Sequence, residues 1–293
     1  MESVLSQEVQ GLEYIVVDGQ SADDTVAILR SRLDASPGAF LLLSEPARGH
    51  ADAINKGIQS SRGEIVGWLN SDDVYIPGGL RTVADFFAAH PAVDVLYGEA
   101  FFLNEAGERI GVYPTAPWNP GLLRDRCIIS QPSAFVRRRV FERHGLLDNT
   151  YRANDYELWV RLAKAGARFA HIREYLSATR LHSQCATVQL KVKCCEDAAA
   201  ILLKHHGKVS GSCLSRLATA QARQDFGSGL PRAAYLTAKA RRLKAASRRW
   251  NRSVSLPDLM KASYWQVLGL CAGAGLPAPL TREERDTMSG RLW

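Results

Sequence analysis

A chain of 293 residues with 46% hydrophobic and 23% charged residues can bury a full core, as one large domain or as one domain with an appendage. It is read as having no apolar run long enough for a transmembrane helix and no basic-then-apolar secretory signal, so the expected location is the cytoplasm. The net charge of +7 is unevenly spread: residues 190–293 carry 18 Lys/Arg against 7 Asp/Glu, and residues 1–189 carry 19 against 23. That asymmetry suggests two functional parts.

In chain order, Leu12 to Val17 reads as a strand, and Ser21 as the cap of a helix through Leu33 with Asp23 and Asp24 in its first turn. Residues 39–43 form the next strand, followed by a helix over 49–60. Glu64 to Leu69 reads as a buried strand, and Pro77-Gly78-Gly79 opens a helix reaching Ala89. Asp94 to Gly98 continues into Phe101-Phe102-Leu103, turns at Ala106-Gly107 and returns to Tyr113. This alternation predicts a parallel sheet covered by helices, with an antiparallel addition near residue 100. From about residue 189 the pattern is helical, with Gly/Pro breaks near 207–211, 227–231 and 273–279. The six cysteines (127, 185, 194, 195, 213 and 271) contain no C-x-x-C pair and read as reduced thiols. His205-His206 near Cys194-Cys195 has poor spacing for a metal site.

Four clusters carry chemical meaning. Asn70-Ser71-Asp72-Asp73 places adjacent carboxylates after a strand, where hard oxygen ligands suit a divalent ion bridging phosphates; the alternative is a polar strand-to-helix turn. Asp18 ends the first strand, where it can accept hydrogen bonds from a base or ribose, or simply make an Asp-Gly turn. Asp155 opens a helix with Leu158, Leu162 and Ala165 on one face, either as a helix-start charge or as a general base near a hydroxyl. His182 can complete a metal site or end a strand. Between Arg232 and Arg252, eight basic residues occur with no acidic one among them, interleaved with Tyr235, Leu236, Leu243 and Trp250. Such a helix can lie on anionic lipid, or pack on the main domain with its charged face solvated.

The order of these clusters resembles the family 2 glycosyltransferases of the GT-A fold. The matching phrases are EYIVVDGQSADDT (13–25), SEPARGHADAINKGI (44–58), EIVGWLNSDDVYIPG (64–78), ISQPSAFVRRRVFERHGLLD (129–148) and NDYELWVRL (154–162), covering roughly residues 1–185. The resemblance implies an α/β fold, a mixed and mainly parallel sheet flanked by helices, as a domain over 1–188 with a basic helical region over 189–293. It implies that Asp18 contacts the base of the nucleotide, usually uracil, and that Asp52 and Asn70 line the nucleotide pocket. Asp72 would hold the ribose or metal, Asp73 would ligate Mn²⁺ or Mg²⁺, Asp155 would be the base, and His182 would reach the metal or diphosphate. The implied activity is inverting, metal-dependent transfer from a nucleotide-sugar, UDP-linked, to a glycan or lipid-linked acceptor in polysaccharide biosynthesis. Deprotonating the attacking hydroxyl and neutralising the departing diphosphate are what such a reaction requires.

Three departures accompany the resemblance. Gly19 stands where a second Asp is usual, and Asn154 stands where Glu usually precedes the base. Family members also begin with a central strand before the helix that here starts at Glu2. The chain is therefore expected to derive from a longer, mis-started or truncated enzyme whose strands at 13–18 and 64–69 lack a common partner. Two alternatives follow. One is an inactive fragment whose basic tail binds lipid or, as the less favoured partner, nucleic acid. The other is a nucleotidyltransferase, although the Gly-rich basic loop it needs is not visible.

Overall fold

The computed structural model describes residues 1–7, 9–226 and 232–251. The first turn, α1 (Glu2–Leu5), buries Val4. It is fastened by Gln7, whose Nε2 donates to the carbonyls of Ser3 and Ile76, both at 3.0 Å. After it come β1 (Ile15–Asp18), α2 (Thr25–Ala35), β2 (Leu41–Ser44), α3 (His50–Ser60) and β3 (Ile65–Gly67). The helix expected from Ser21 begins four residues later. Ser21 instead donates its hydroxyl to Asp18 Oδ1 at 2.5 Å, while Asp23 Oδ1 accepts from Thr25 N at 3.0 Å in the turn that leads into the helix.

The middle of the chain adds β4 (Val74–Tyr75), α4 (Gly79–Ala89), β5 (Val95–Leu103), β6 (Arg109–Val112), α5 (Pro120–Asp125) and β7 (Ala134–Arg137). Then follow α6 (Arg138–His144), α7 (Asn154–Lys164) and β8 (Phe169–Arg180). The β5–β6 pair is the antiparallel addition expected near residue 100. Of α7, Leu158 and Leu162 are fully buried, whereas Ala165 is its exposed C-cap.

The result is the expected mixed α/β architecture, in two sheets. β1 and β2 pair in parallel, and a second sheet runs β3-β7-β5-β8-β4 with β6 on β5. The balance of directions differs from the mainly parallel expectation: β1–β2 and β5–β8 are parallel, and the other four pairings are antiparallel. The physical reason is that β7 inserts between β3 and β5 and runs against both. A crossing of this kind carries no periodic signature in the sequence. Among the described residues β1 pairs only with β2 and β3 only with β7, and Ile15, Val17, Ile65, Val66 and Gly67 line one cavity of about 1610 Å³. At Gly67 a Cβ would lie 2.7 Å from the Phe135 ring, so only glycine lets β3 close on β7 there.

The carboxyl-terminal helices are α8 (Ala186–Gln189), α9 (Lys191–His206), α10 (Gly211–Phe226) and α11 (Arg232–Asn251). They are packed directly on the core. Ile201, Leu202 and Leu214 join Trp68, Tyr97, Leu158 and Trp159 in one buried cluster. Gly207, at φ 71°, ends α9 within the expected break. The breaks at 227–231 and 273–279, Arg252 and Cys271 lie outside the described residues. Of the two readings of the basic helix, packing is what residues 243–250 display. Leu243 and Ala246 are buried, and Trp250 packs against the main cluster. Among the described residues no helix is long and apolar enough to cross a membrane.

Candidate active site

The loop after β3 is built around Asn70. Its Nδ2 donates to Asp73 Oδ2 at 3.1 Å and to Gln131 Oε1 at 3.2 Å, and its Oδ1 lies 2.8 Å from His50 Nε2. Gln131, in the turn Gln131–Ser133, also donates from Nε2 to the Trp68 carbonyl at 2.6 Å. His50 begins α3 behind Gly49, whose φ of 117° suits glycine. Three separate segments thus fix one amide.

Asp73 is buried, and its Oδ1 accepts from Arg180 N at 3.2 Å. Burial, and then the neighbouring Asp72 charge, push its carboxyl up to about 7. Asp72 is one-third exposed, and its Oδ2 lies 3.0 Å from His182 Nε2. His182 Nδ1 accepts from Gln184 N at 3.2 Å, so the ring proton sits on Nε2 and is donated to Asp72.

The donor set is hard. Two adjacent carboxylates, one strained by burial and by the other's charge, fit a divalent cation that also binds substrate phosphates. Both nitrogens of His182 are engaged. Among the described residues no group of three His, Cys, Asp or Glu side chains comes together to hold a metal. The fit is therefore to a metal shared with a ligand, not to an all-protein cage.

Asp155 lies in the first turn of α7, half-buried, on the wall of the same cavity. Burial pushes its carboxyl above the ordinary carboxylate range, opposed by the Tyr156 backbone N–H and by His50. The helix beneath it is anchored from behind. Fully buried Glu157 accepts from Arg161 Nε at 3.0 and 3.1 Å, and His205 Nε2 of α9 lies 3.0 Å away. Asp197, also buried in α9, accepts from Arg152 N at 2.6 Å.

Of the seven residues singled out from the sequence, Asn70, Asp72, Asp73, Asp155 and His182 line this one cavity. Asp18 and Asp52 do not. Asp18 is buried in its own turn, its oxygens accepting from Gln20 N, from Ser21 N and Oγ, and from Ser44 Oγ at 2.8 Å. The Ser21 hydroxyl leads in holding its pKa down. Gln20 adopts φ 67° to make that turn. Asp52 accepts from Arg48 N at 2.9 Å and approaches Lys56 at 3.9 Å. His50 and Gln131 were not singled out. Both fall inside the quoted phrases 44–58 and 129–148, which is the only sequence signal that reaches them.

A curled mixed sheet with helices outside it, an Asp-Asp pair after β3 and an acid at a helix start across one cavity are the arrangement of the GT-A fold. Residues 1–145 match glycosyl transferase family 2. The chain is 29% identical over 181 residues to the O-antigen biosynthesis protein RfbC of Myxococcus xanthus, covering 61% of this chain and 14% of that protein. It is 26% identical over 218 residues to the chondroitin synthase of Escherichia coli, covering 74% of this chain and 30% of that one. The chain thus spans less than a third of the length of either relative. Among solved structures, it superposes on the mannosyltransferase PcManGT from Pyrobaculum calidifontis in complex with GDP-Man and Mn²⁺ with a TM-score of 0.52. That match has 20% identity and covers 88% of this chain and 71% of that one. S. aureus TarS 1–349 in complex with UDP-GlcNAc gives a TM-score of 0.52 at 15% identity, covering 89% and 74%. At these identities the likeness concerns the fold.

Proposed function

We propose that the chain transfers a sugar from a UDP-linked donor, with inversion and with the help of a divalent cation, to a glycan or lipid-linked acceptor in polysaccharide biosynthesis. The observation that carries this reading is the convergence of the Asp72-Asp73 pair and Asp155 on one cavity. Asp73 and Asp72 would hold Mn²⁺ or Mg²⁺, which when bound would neutralise the charge of the leaving diphosphate. His182 keeps Asp72 oriented and stands beside the diphosphate. Asn70, fixed by His50 and Gln131, presents its amide to the nucleotide. Asp18 and Asp52 take part as supports: Asp18 shapes the turn after β1 beside the base, and Asp52 holds the loop at Arg48.

Asp155 accepts the proton of the acceptor hydroxyl as that oxygen attacks the anomeric carbon from the face opposite the diphosphate. A base whose pKa is raised by burial holds the abstracted proton better than an exposed carboxylate does. The solvated face of the basic helix would place the chain beside an anionic membrane surface, since the apolar side is already packed. The test is release of UDP from a panel of UDP-sugars, with and without EDTA, followed by NMR of the product anomer. Metal-dependent release with inversion supports the reading. Retained configuration, or release indifferent to EDTA and to Asp155→Asn, overturns it.

A further inference from the structure

The cavity that holds Asp155 has a second half that the donor reading does not use. Its lining carboxylates are placed apart in the chain: Glu13 and Glu64 precede β1 and β3, Asp72 and Asp73 follow β3, and Asp155 opens α7. The same lining also carries Arg126, Arg152, Lys191 and Arg216.

Three of these share an immediate neighbour with Asp155. The thiol of Cys194 is raised to about 11 by burial and by Asp155, with Arg152 opposing. The thiol of Cys127 is raised to about 12 by burial and by Asp155, with Arg216 opposing. Burial likewise raises the Tyr113 hydroxyl, with Cys127 and Asp155 adding and Arg126 opposing. Each arginine therefore lies in electrostatic reach of a group that Asp155 also reaches.

Three arginines of the same sheet and helix layers are consumed by structure. Arg137 pairs with Glu64 and with the Phe87 carbonyl, Arg161 pairs with Glu157, and Arg180 donates to the carbonyls of Asn104 and Glu105. Among the described residues none of Arg126, Arg152, Lys191 and Arg216 is in an ion pair with a carboxylate. Arg126 donates only to the Pro114 carbonyl, at 2.5 Å. Four cations with no ion-pair partner among the described residues, lining one partly enclosed cleft, raise the potential where they gather. Guanidinium groups in particular match the planar oxygens of phosphate and carboxylate.

We infer that the acceptor is anionic, carrying a phosphate or carboxylate next to the hydroxyl that is glycosylated, held by Arg126, Arg152, Lys191 and Arg216 while Asp155 faces that hydroxyl. The inference deepens the proposed function and rests on Asp155 facing the acceptor. It also gives the helical region a role, because Lys191 begins α9 and Arg216 lies in α10.

The test is calorimetry on the full chain with saturating UDP and Mn²⁺, so that the donor half is filled. Three probes are titrated at 150 mM salt: butyl phosphate, methyl glucuronide and neutral methyl glucoside. At least one anion is expected to bind tenfold or more tightly than methyl glucoside. The double variant Arg152→Gln/Lys191→Gln, two exposed positions whose replacement leaves the core intact, should weaken that binding by at least tenfold. Preference for butyl phosphate assigns the charge to a phosphate, as in a lipid phosphate, and preference for methyl glucuronide assigns it to an acidic sugar. UDP binding together with equal affinity for all three probes, or anion binding indifferent to the double variant, overturns the inference alone. Absence of metal-dependent UDP binding removes the donor reading, and this one with it.

Discussion

Trp68 and Trp159 stack with ring centroids 5.7 Å apart and planes 21° from parallel. Trp68 ends the run that leads into Asn70-Ser71-Asp72-Asp73, and Trp159 lies one turn along α7 from Asp155. Neither indole N–H has a hydrogen-bond partner among the described residues, so packing alone joins these two side chains across the site. Trp159→Ala should therefore cost about 3–5 kcal/mol in urea unfolding. Trp68→Leu, which stays apolar but loses the stack, should cost about 0.5–1.5 kcal/mol beyond its loss of buried area. Equal stability of both variants and the parent would show that the stack does not join the two halves.

Asp155→Asn should lower the transfer rate by about 10²–10⁴-fold, the usual contribution of a positioned general base. Its raised carboxyl pKa sets two pH dependences. The rate should climb with pH through a value above the ordinary carboxylate range, because the ionised form is the one that acts. Stability runs the other way. The folded chain keeps this proton at pH values where the unfolded chain has lost it. Asp155's contribution is thus fully present below about pH 3.9 and declines as pH rises through the raised value. Asp155→Asn should flatten that part of the curve and raise the melting temperature at neutral pH, which scanning calorimetry at several pH values would detect.

Much of this was legible in the sequence. The strands near 13–18, 39–44, 64–69 and 94–103 and their intervening helices announce themselves by apolar runs and caps, and the acids after β3 and at the start of α7 stand out by position. Two short strands, β4 and β7, did not, since two and four residues are too few for a periodicity, and β8 was reached only as a strand end at His182, because Arg173 and Glu174 interrupt its apolar run. Ser21 misled because a side chain hydroxyl can cap a helix or close an Asp turn, and here Asp18 took it. His50 and Gln131 acquire meaning only when the fold brings residues 20 and 61 positions away to Asn70.

Gln131→Leu removes the donor to the Trp68 carbonyl and the acceptor for Asn70. Losing these part-buried bonds should cost about 1–3 kcal/mol of stability. Freeing Asn70 should weaken UDP binding by about tenfold, which calorimetry reads directly. Gln131→Glu, which retains an acceptor for Asn70 but not the donor to Trp68, should separate the two effects.

Glu157 is the buried anion that ties α9 to the helix of Asp155. Glu157→Ala leaves Arg161 and His205 without their carboxylate and should destabilise by about 3–5 kcal/mol. Chemical denaturation should show it, with His205→Ala giving a smaller loss because Arg161 keeps its partner.

The central claim is that the Asp72-Asp73 pair and the cavity beside it form a metal-dependent donor site. Calorimetric titration of UDP into the chain with Mn²⁺, beside Asp73→Ala, tests it most directly. The account predicts saturable binding that requires Mn²⁺ and vanishes in Asp73→Ala. UDP binding of equal strength without Mn²⁺ or in Asp73→Ala, or no binding by the folded parent chain, would contradict it.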